Sequence, residues 1–566
     1  MAGTILENLS NRKLAVVLFI ILVIQFVSFL IGAFIAPAPA NTEQATATMC
    51  VPDDYEKLAI PFHQIVNGNT ESKNCQKPKE SNKPIVFAFQ IPLARENVRL
   101  DYSRWMSNLI ALLTFEISYR SFSDDSSTSI ADLRTIKKEI GMKVTLAAKD
   151  AGDDDWKIIA SKNPLKRNLN CRINTPQLED QQGYDCDLVH LFELQSLFYD
   201  YYLINIQIVS SPTLRHAELT DLNLAAIHQN GGFTKVWLSL KTVFFVITLL
   251  TLIWYWNRLQ QLSRKTTLLE RTIIMLGVVM TQLNAPIEYL SLFYDLGFMN
   301  FLSDIRQGIL YSGLLSFWCI FTGEHLLDGV QRSCLSYYAK QLAIILSAST
   351  ALFLFDSIER GIQWINPFFT IWEVESNLAI IFIFLAILSA TAFFLFLCYQ
   401  VSRVRATLSS KQSSLPSMSS TRRLVYQGII YRFKFLLWAT LICAGITISA
   451  FITNQFVDEN YHWEDETQLL ELQWTSAMYT TVYAMWNNYV VVLLILYAPS
   501  HKGLGPNVDN LSEEIEFNRL TSDDRIEDNG EVSSIKEQED KGLPSTSEDK
   551  SHMSLLQELT NKQNID

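Results

Sequence analysis

Hydrophobic residues fall along this chain in two textures. From residue 236 onward they come in solid blocks, at 236–256, 272–293, 306–323, 341–357, 378–399, 433–453 and 476–498. An earlier block runs from Leu14 to Ile35. Each is long enough, as a helix, to cross a hydrocarbon core of roughly 30 Å. Between the first block and the rest, from about residue 41 to 234, apolar residues come in short runs broken by polar turns. Ile85–Ile91, Lys143–Leu146 and Tyr202–Ile208 are rich in β-branched and aromatic residues and predict strands. Arg120–Asp132 is too polar for a core and predicts a loop. The pattern therefore predicts an α-helical polytopic membrane protein with eight transmembrane helices. The last seven form a receptor-like bundle, and an antiparallel β-sandwich sits between helices one and two. The expected layout is an N-terminal segment 1–13, a first span 14–36, a luminal β domain 37–234, a bundle 235–498 and a tail 499–566.

Residues 227–256 join the two textures. Asn230-Gly231-Gly232 stands just ahead of the apolar run. Glycine adopts positive φ without penalty, so a sharp change of direction is expected there.

Charge orients the spans. Segment 401–434 carries Arg403, Arg405, Lys411, Arg422, Arg423, Arg432 and Lys434 and no acid. Segment 257–271 carries Arg258, Arg264, Lys265 and Arg271 against Glu270. Loop 454–475 carries Asp458, Glu459, Glu464, Asp465, Glu466 and Glu471 and no Lys or Arg. Basic loops stay cytosolic. Both termini are then cytosolic and the β domain luminal. Arg12 and Lys13 precede the first block, which is longer than a signal-peptide core and reads as an uncleaved anchor. The net charge of −12 comes mainly from residues 503–566, where 16 acidic and 6 basic residues leave −10. The folded part is nearly neutral and offers no basic surface suited to nucleic acid. The tail, acidic and Ser-rich, reads as disordered.

Four of the eight cysteines, Cys50, Cys75, Cys171 and Cys186, fall in the luminal segment. An even number in an oxidising compartment predicts two disulfides. Three pairings are possible, and the local one, Cys50–Cys75 with Cys171–Cys186, is the expected one. No C-x-x-C spacing supports a metal site. No Asn-x-Ser/Thr sequon falls in the luminal segments.

Ionisable and amide side chains inside spans are costly and mark candidates for function or for interhelical contacts. They are Asn284 and Glu288 around Pro286, Arg306 with Asp304, Glu324 with His325, Asp356 with Glu359 and Arg360, and Asn487 with Asn488. Pro286 is expected to kink its helix. Glu324-His325 is the one acid–base pair in sequence, and neighbours on a helix face different ways. No zinc-peptidase, nucleophile-elbow or phosphate-loop motif appears, so catalysis and cofactors are not expected. A receptor reading finds no D-R-Y after the third bundle span, and Asn366-Pro367-Phe368 lies in a luminal loop. The paired broken spans of transporters are missing as well.

A resemblance adds to this. HQNGGFTKVW (228–237), MAGTILENLS (1–10), DYSRW (101–105), DIRQG (304–308), LLSFW (314–318), GEH (323–325), KQSSLP (411–416), RFKF (432–435) and YAPSHK (497–502) stand in the order they have in the Wntless family. The chain resembles an invertebrate-like member of that family. The resemblance implies a carrier of lipid-modified, palmitoleoylated Wnt proteins that cycles between endoplasmic reticulum, Golgi, plasma membrane and endosomes. It also implies contact with membrane lipids and with endocytic and retromer-type retrieval machinery. The tail departs from vertebrate members, which end in a tyrosine-based motif. It has no Tyr, only Phe517 in an aromatic slot and Leu555-Leu556. A G-protein-coupled receptor and a lipid-modifying enzyme are the alternatives. For a carrier, an acyl chain of ~16 carbons costs on the order of 10 kcal/mol in water at ~0.8 per CH₂, so it needs an apolar path from the luminal leaflet. That path is expected along Ile309, Tyr311, Gly313, Phe317, Phe353 and Phe355. Trp364 and Phe368 are expected at its mouth, in an aromatic loop 362–369.

Overall fold

The computed structural model describes residues 4–8, 11–52, 75–76, 85–92, 100–119, 135–153, 155–173, 183–210, 217–262, 265–326, 335–370, 378–414, 420–459 and 468–499. A helical turn, Ile5–Asn8, precedes α1 (Asn11–Leu30). α1 ends in a π turn, Ile31–Ile35. Eleven strands follow: β1 (Ala40–Thr46), β2 (Thr48–Pro52), β3 (Cys75–Gln76), β4 (Val86–Ile91), β5 (Leu109–Tyr119), β6 (Thr135–Lys149), β7 (Lys157–Ile173), β8 (Gly183–Cys186), β9 (Val189–Leu194), β10 (Tyr201–Ser210) and β11 (Ala217–Gln229). Seven helices complete the described chain: α2 (Gly231–Gln260), α3 (Leu268–Asn284), α4 (Met299–Leu326), α5 (Ala339–Ile365), α6 (Leu378–Ser414), α7 (Ser420–Glu459) and α8 (Gln468–Leu496).

The strands form one antiparallel sheet in the order β1-β11-β5-β8-β7-β6-β10-β4-β2-β3, with β9 also on β5. The sheet bends over itself, so β4 lies across β1 and β11, and β9 lies across β7. The fold is thus a sandwich whose layers stay hydrogen-bonded through β8, rather than two separate sheets. Alternation explains it: on β10, Tyr202, Ile204 and Ile206 point into the core with Phe89 and Ile91 of β4 and Val144 and Leu146 of β6. β8 is short, and Cys186 faces Cys171 of β7 in register, where the two form a disulfide. Cys75 stands opposite Pro52 on the paired strands β2 and β3. The side chains of Cys50 and Cys75 lie outside the described residues. So do the segment 120–132 and the tail.

Among the described residues, seven helices are long and apolar enough to cross a membrane: Arg12–Ile35, Gly231–Gln260, Leu268–Leu292, Ala339–Ile365, Ile380–Thr407, Phe433–Ala450 and Trp474–Leu496. α4 is an eighth long helix, but Asp304, Arg306 and Glu324 dilute its apolar character. α8 is the most enclosed of the seven, with α1, α2, α3 and α7 all packed on it. α1 touches the bundle through α8. Gln25 donates to the Thr481 carbonyl at 2.8 Å, Asn488 donates to Gln25 at 3.3 Å, and Phe29 packs on Trp474.

Four local expectations need correction. Pro286 does not kink a continuing helix. α3 stops at Asn284, and Ala285, extended as residues before proline tend to be, leads into a 3₁₀ turn, Ile287–Leu292. Segment 401–434 is not a loop, because α6 runs to Ser414 and α7 begins at Ser420. The aromatic loop begins later than expected, since α5 continues through Trp364 to Ile365. Asn230-Gly231-Gly232 is a helix start rather than a positive-φ turn. The Asn230 side chain accepts from the Gly232 N–H at 2.9 Å and caps α2. The glycines are needed for close approach: a Cβ on Gly232 would sit 2.9 Å from the Pro37 ring, and one on Gly231 3.1 Å from Trp105.

Candidate functional site

Strand becomes membrane helix at a single residue, Asn230. Its N–H donates to the Pro39 carbonyl at 3.0 Å, and its side-chain amide donates to Asn41 at 3.2 Å. Pro39 precedes β1, and β1 pairs with β11 from Ala40 opposite Gln229 onward. The chain therefore enters and leaves the β domain side by side. Ser476 of α8 donates to the Pro37 carbonyl, which ties the entry to the bundle as well.

A second attachment lies at the far end of α5. Pro367–Phe368 runs beside β9, and the Glu193 N–H donates to the Pro367 carbonyl at 2.9 Å. Phe368 is buried in the core of the β domain, edge-on to Phe192 at 6.2 Å. Arg167, 4% exposed, donates to the carbonyls of His190 (2.7 Å) and Phe368 (2.6 Å). Burying this arginine is tolerable because its donors meet carbonyl oxygens. Arg360 donates to Glu193 at 2.5 Å, and Gln363 exchanges bonds with Glu193 and Gln195. Asn300 of α4 donates to the Gln195 carbonyl at 3.0 Å.

Between these attachments lies a cavity of about 120 Å³. Trp105, Trp237, Leu238, Leu292, Leu296 and Met299 supply apolar walls; Gln195, Gln229, Lys241, Glu288 and Asn300 supply polar ones. Its floor is an ion cluster. Lys241 (2.6 Å) and Arg306 (2.9 Å) share one oxygen of Glu288. Arg306 also donates to the carbonyls of Gln282, Leu283 and Ala285, the end of α3 that Pro286 leaves open. Below it, Asn284 donates to Asn487, and Tyr483 donates to Asn284 at 2.6 Å. The arrangement offers a lined recess between a β domain and a helical bundle. Among the described residues, no group of three His, Cys, Asp or Glu gathers as metal ligands.

The comparisons divide the chain at this same joint. Residues 54–229 match the Wntless GOLD domain, and residues 230–501 match the Wntless-like transmembrane domain. Protein wntless of Drosophila virilis is 40% identical over 552 residues, 92% of this chain and 97% of that protein. Protein wntless of Drosophila mojavensis is 41% identical over 552 residues, with the same coverage. The chain belongs to the Wntless family. It is a multi-pass membrane protein with a Wntless GOLD domain on its N-terminal side.

In this Wntless family member the eight residues expected along an acyl path stand in different surroundings. Phe317 is fully buried in the bundle core against Phe321. Phe368 is in the β-domain core. Ile309, Tyr311 and Phe353 are exposed on α4 and α5, with Phe353 stacked on Phe301. Phe355 is half-buried. Gly313 faces Met275 and Val279 of α3, each 3.9 Å from where a Cβ would sit. Trp364 lies against Gly297 and edge-on to Phe298. The structure does not gather these side chains into one lined pocket. Of the polar candidates, Asn284, Glu288, Arg306 and Asn487 join in the core beneath the cavity, and Glu324 accepts from Tyr338 at 3.0 Å. The recess itself was missed. Its signal was present in two of the words that carry the family resemblance, DYSRW and HQNGGFTKVW, whose Trp105 and Trp237 line it.

Proposed function

We propose that this protein carries acylated Wnt proteins through the secretory pathway, holding the protein part on the luminal β domain and the acyl chain in the membrane bundle. Family membership supports the role in Wnt secretion. The observation that carries the division of labour is the joint: the β domain is attached at Asn230 and again through Glu193–Arg360, with a mixed polar and apolar recess between. Such a mouth suits a ligand that is protein on one side and lipid on the other. In this reading the termini are cytosolic, all eight long helices span, and partners in endocytic and retromer-type retrieval act on the cytosolic side. The acyl chain runs from the recess along α4, past Ile309, Tyr311 and, on the side that faces α3, Gly313, and past Phe353 and Phe355 of α5. Trp364 stands at the mouth, with Phe317 and Phe368 as packed walls.

Co-purification in detergent tests the reading. Full-length protein should retain acylated Wnt and release it with intact lipid, and it should fail to retain the unacylated cargo. Gly313→Trp should weaken retention by roughly tenfold, the scale of overpacking by 1–3 kcal/mol, at unchanged abundance. Normal retention of unacylated Wnt would refute the carrier reading, and normal retention by Gly313→Trp would refute the path. Ligand-dependent G-protein coupling or an altered acyl chain would point to the receptor or enzyme alternatives.

A further inference from the structure

The carrier reading leaves one strongly charged surface unused. α6 and α7 are 37 and 40 residues long, about 55 and 60 Å at 1.5 Å per residue. That is well beyond a hydrocarbon core of about 30 Å. The apolar stretch of α7 begins only at Phe433. Phe433 stacks on Phe321, and Phe321 meets Tyr497 near the end of α8. The surplus of α7 therefore emerges at the end of the bundle opposite the β domain. The end of α6 accompanies it: Val404 is fully buried with Ile430 and Phe433, and Lys434 donates to Gln412 at 3.1 Å.

All charge on this projection has one sign. Residues 401–434 hold five Arg and two Lys and no Asp or Glu. Arg403 and Arg405 flank the buried Val404, and both are exposed, as is Lys434. A solvated basic face needs no ligand. Here, however, the charges lie within a few helical turns of the apolar stretches, where headgroup phosphates of the adjoining leaflet are within reach. Clusters of four to eight Lys and Arg next to a membrane helix attract anionic lipid. The predominance of Arg adds forked donors that grip phosphate with two bonds at once.

We propose that this basic helical projection binds the multiply phosphorylated headgroups of phosphoinositides in the leaflet opposite the β domain. Arg403, Arg405 and Lys434 form the site, which stands independently of the carrier reading. A headgroup with several phosphates matches this density of charge better than a singly charged phosphatidylserine.

Native mass spectrometry of the full-length protein in detergent tests it, with dioleoyl phosphatidylinositol 4,5-bisphosphate, phosphatidylserine or phosphatidylcholine added in turn. The phosphoinositide should be retained at least about tenfold better than phosphatidylcholine, as the attraction of polybasic segments for anionic lipid requires. R403Q/R405Q/K434Q should remove that preference while leaving the melting temperature unchanged. Should that variant misfold, wild type at high ionic strength serves instead, because screening should release the lipid. Equal retention of phosphatidylcholine, or a preference that survives both the variant and salt, would overturn the site. Equal retention of phosphatidylserine would overturn the choice of headgroup. Equally tight binding of free inositol 1,4,5-trisphosphate would overturn the lipid as its source.

Discussion

Glu193 of β9 and Arg360 of α5 meet at 2.5 Å, the one near a strand end of the β domain and the other in the last turns of a membrane helix. The pair is half-buried, with side-chain exposures of 13% and 31%, so water screens it only in part. Removing Arg360 leaves Glu193 with the neutral amide donors of Gln195 at 2.9 Å and Gln363 at 3.2 Å. Arg360→Ala should cost roughly 2 kcal/mol, the scale of a hydrogen bond to a charged group. Exchanging the two charges, Glu193→Arg with Arg360→Glu, should recover about half of the loss of either single change. Thermal melts of the four proteins, with hydrogen exchange over β9, check this; additive losses would show that the two residues do not couple.

The ion cluster under the recess predicts an asymmetry. Lys241 and Arg306 both lean on one oxygen of Glu288. Lys241→Met leaves a balanced pair, whereas Glu288→Gln leaves two buried cations facing each other. Glu288→Gln should therefore cost on the order of 3–5 kcal/mol and Lys241→Met distinctly less. Detergent-stability measurements giving the reverse order would contradict this account.

α1 owes its seat to one missing side chain. A Cβ on Gly32 would lie 2.6 Å from the Ala477 Cα and 2.9 Å from the Ser476 carbonyl, both main-chain atoms. Gly32→Leu should force α1 off α8, at a cost of roughly 1–3 kcal/mol or more. A cysteine cross-link between the two helices would then form poorly. Undiminished cross-linking would mean that α8 yields.

Two histidines of the β domain give its stability a pH slope. Burial lowers the pKa of His228 on β11, and burial followed by the Arg167 charge lowers that of His190 on β9. Each stays neutral in the folded state while the unfolded chain still takes up protons, so the unfolded state binds more. Stability is complete above the ordinary histidine value of about 6.5 and falls as pH drops below it. Protection factors in β9 and β11 of the full chain, that is, exchange corrected for the base-catalysed intrinsic rate, should be smaller at pH 5 than at pH 7. His190→Gln with His228→Gln should flatten the difference.

The Cys171–Cys186 bond closes a loop of separation 15, so Cys186→Ser should cost about 3 kcal/mol in the chain-entropy picture. Non-reducing peptide mapping should join these two cysteines. Finding Cys186 linked to Cys50 would contradict the structure.

Much of the architecture was legible because its signals are local. The apolar blocks mark the helices, and alternation at Tyr202, Ile204 and Ile206 marks a core strand. Pro286 was visible too, but whether proline kinks or ends a helix depends on what satisfies the freed carbonyls. Here that is Arg306, twenty residues further on in the chain. Phe368 reads as an interfacial aromatic by composition, and only its neighbours Phe192 and Arg167, distant in sequence, place it in the β-domain core. The recess was illegible for the same reason: its walls come from the segments just before β5 and just after β9, the end of β11, α2, the 3₁₀ turn after Pro286 and α4, and no periodicity links Trp105 to Met299.

β1 and β11 are hydrogen-bonded neighbours, and the helices α1 and α2 continue from their adjoining ends. In the geometry of the membrane the whole β domain is therefore an excursion of almost zero span, departing and returning at one point. The bundle can keep the helix spacing that a short turn would allow, whatever the size of what is suspended outside it. A domain joined this way adds no separation between α1 and α2, and its fit to the helices is set instead where it meets α4 and α5, at Asn300, Arg360 and Phe368.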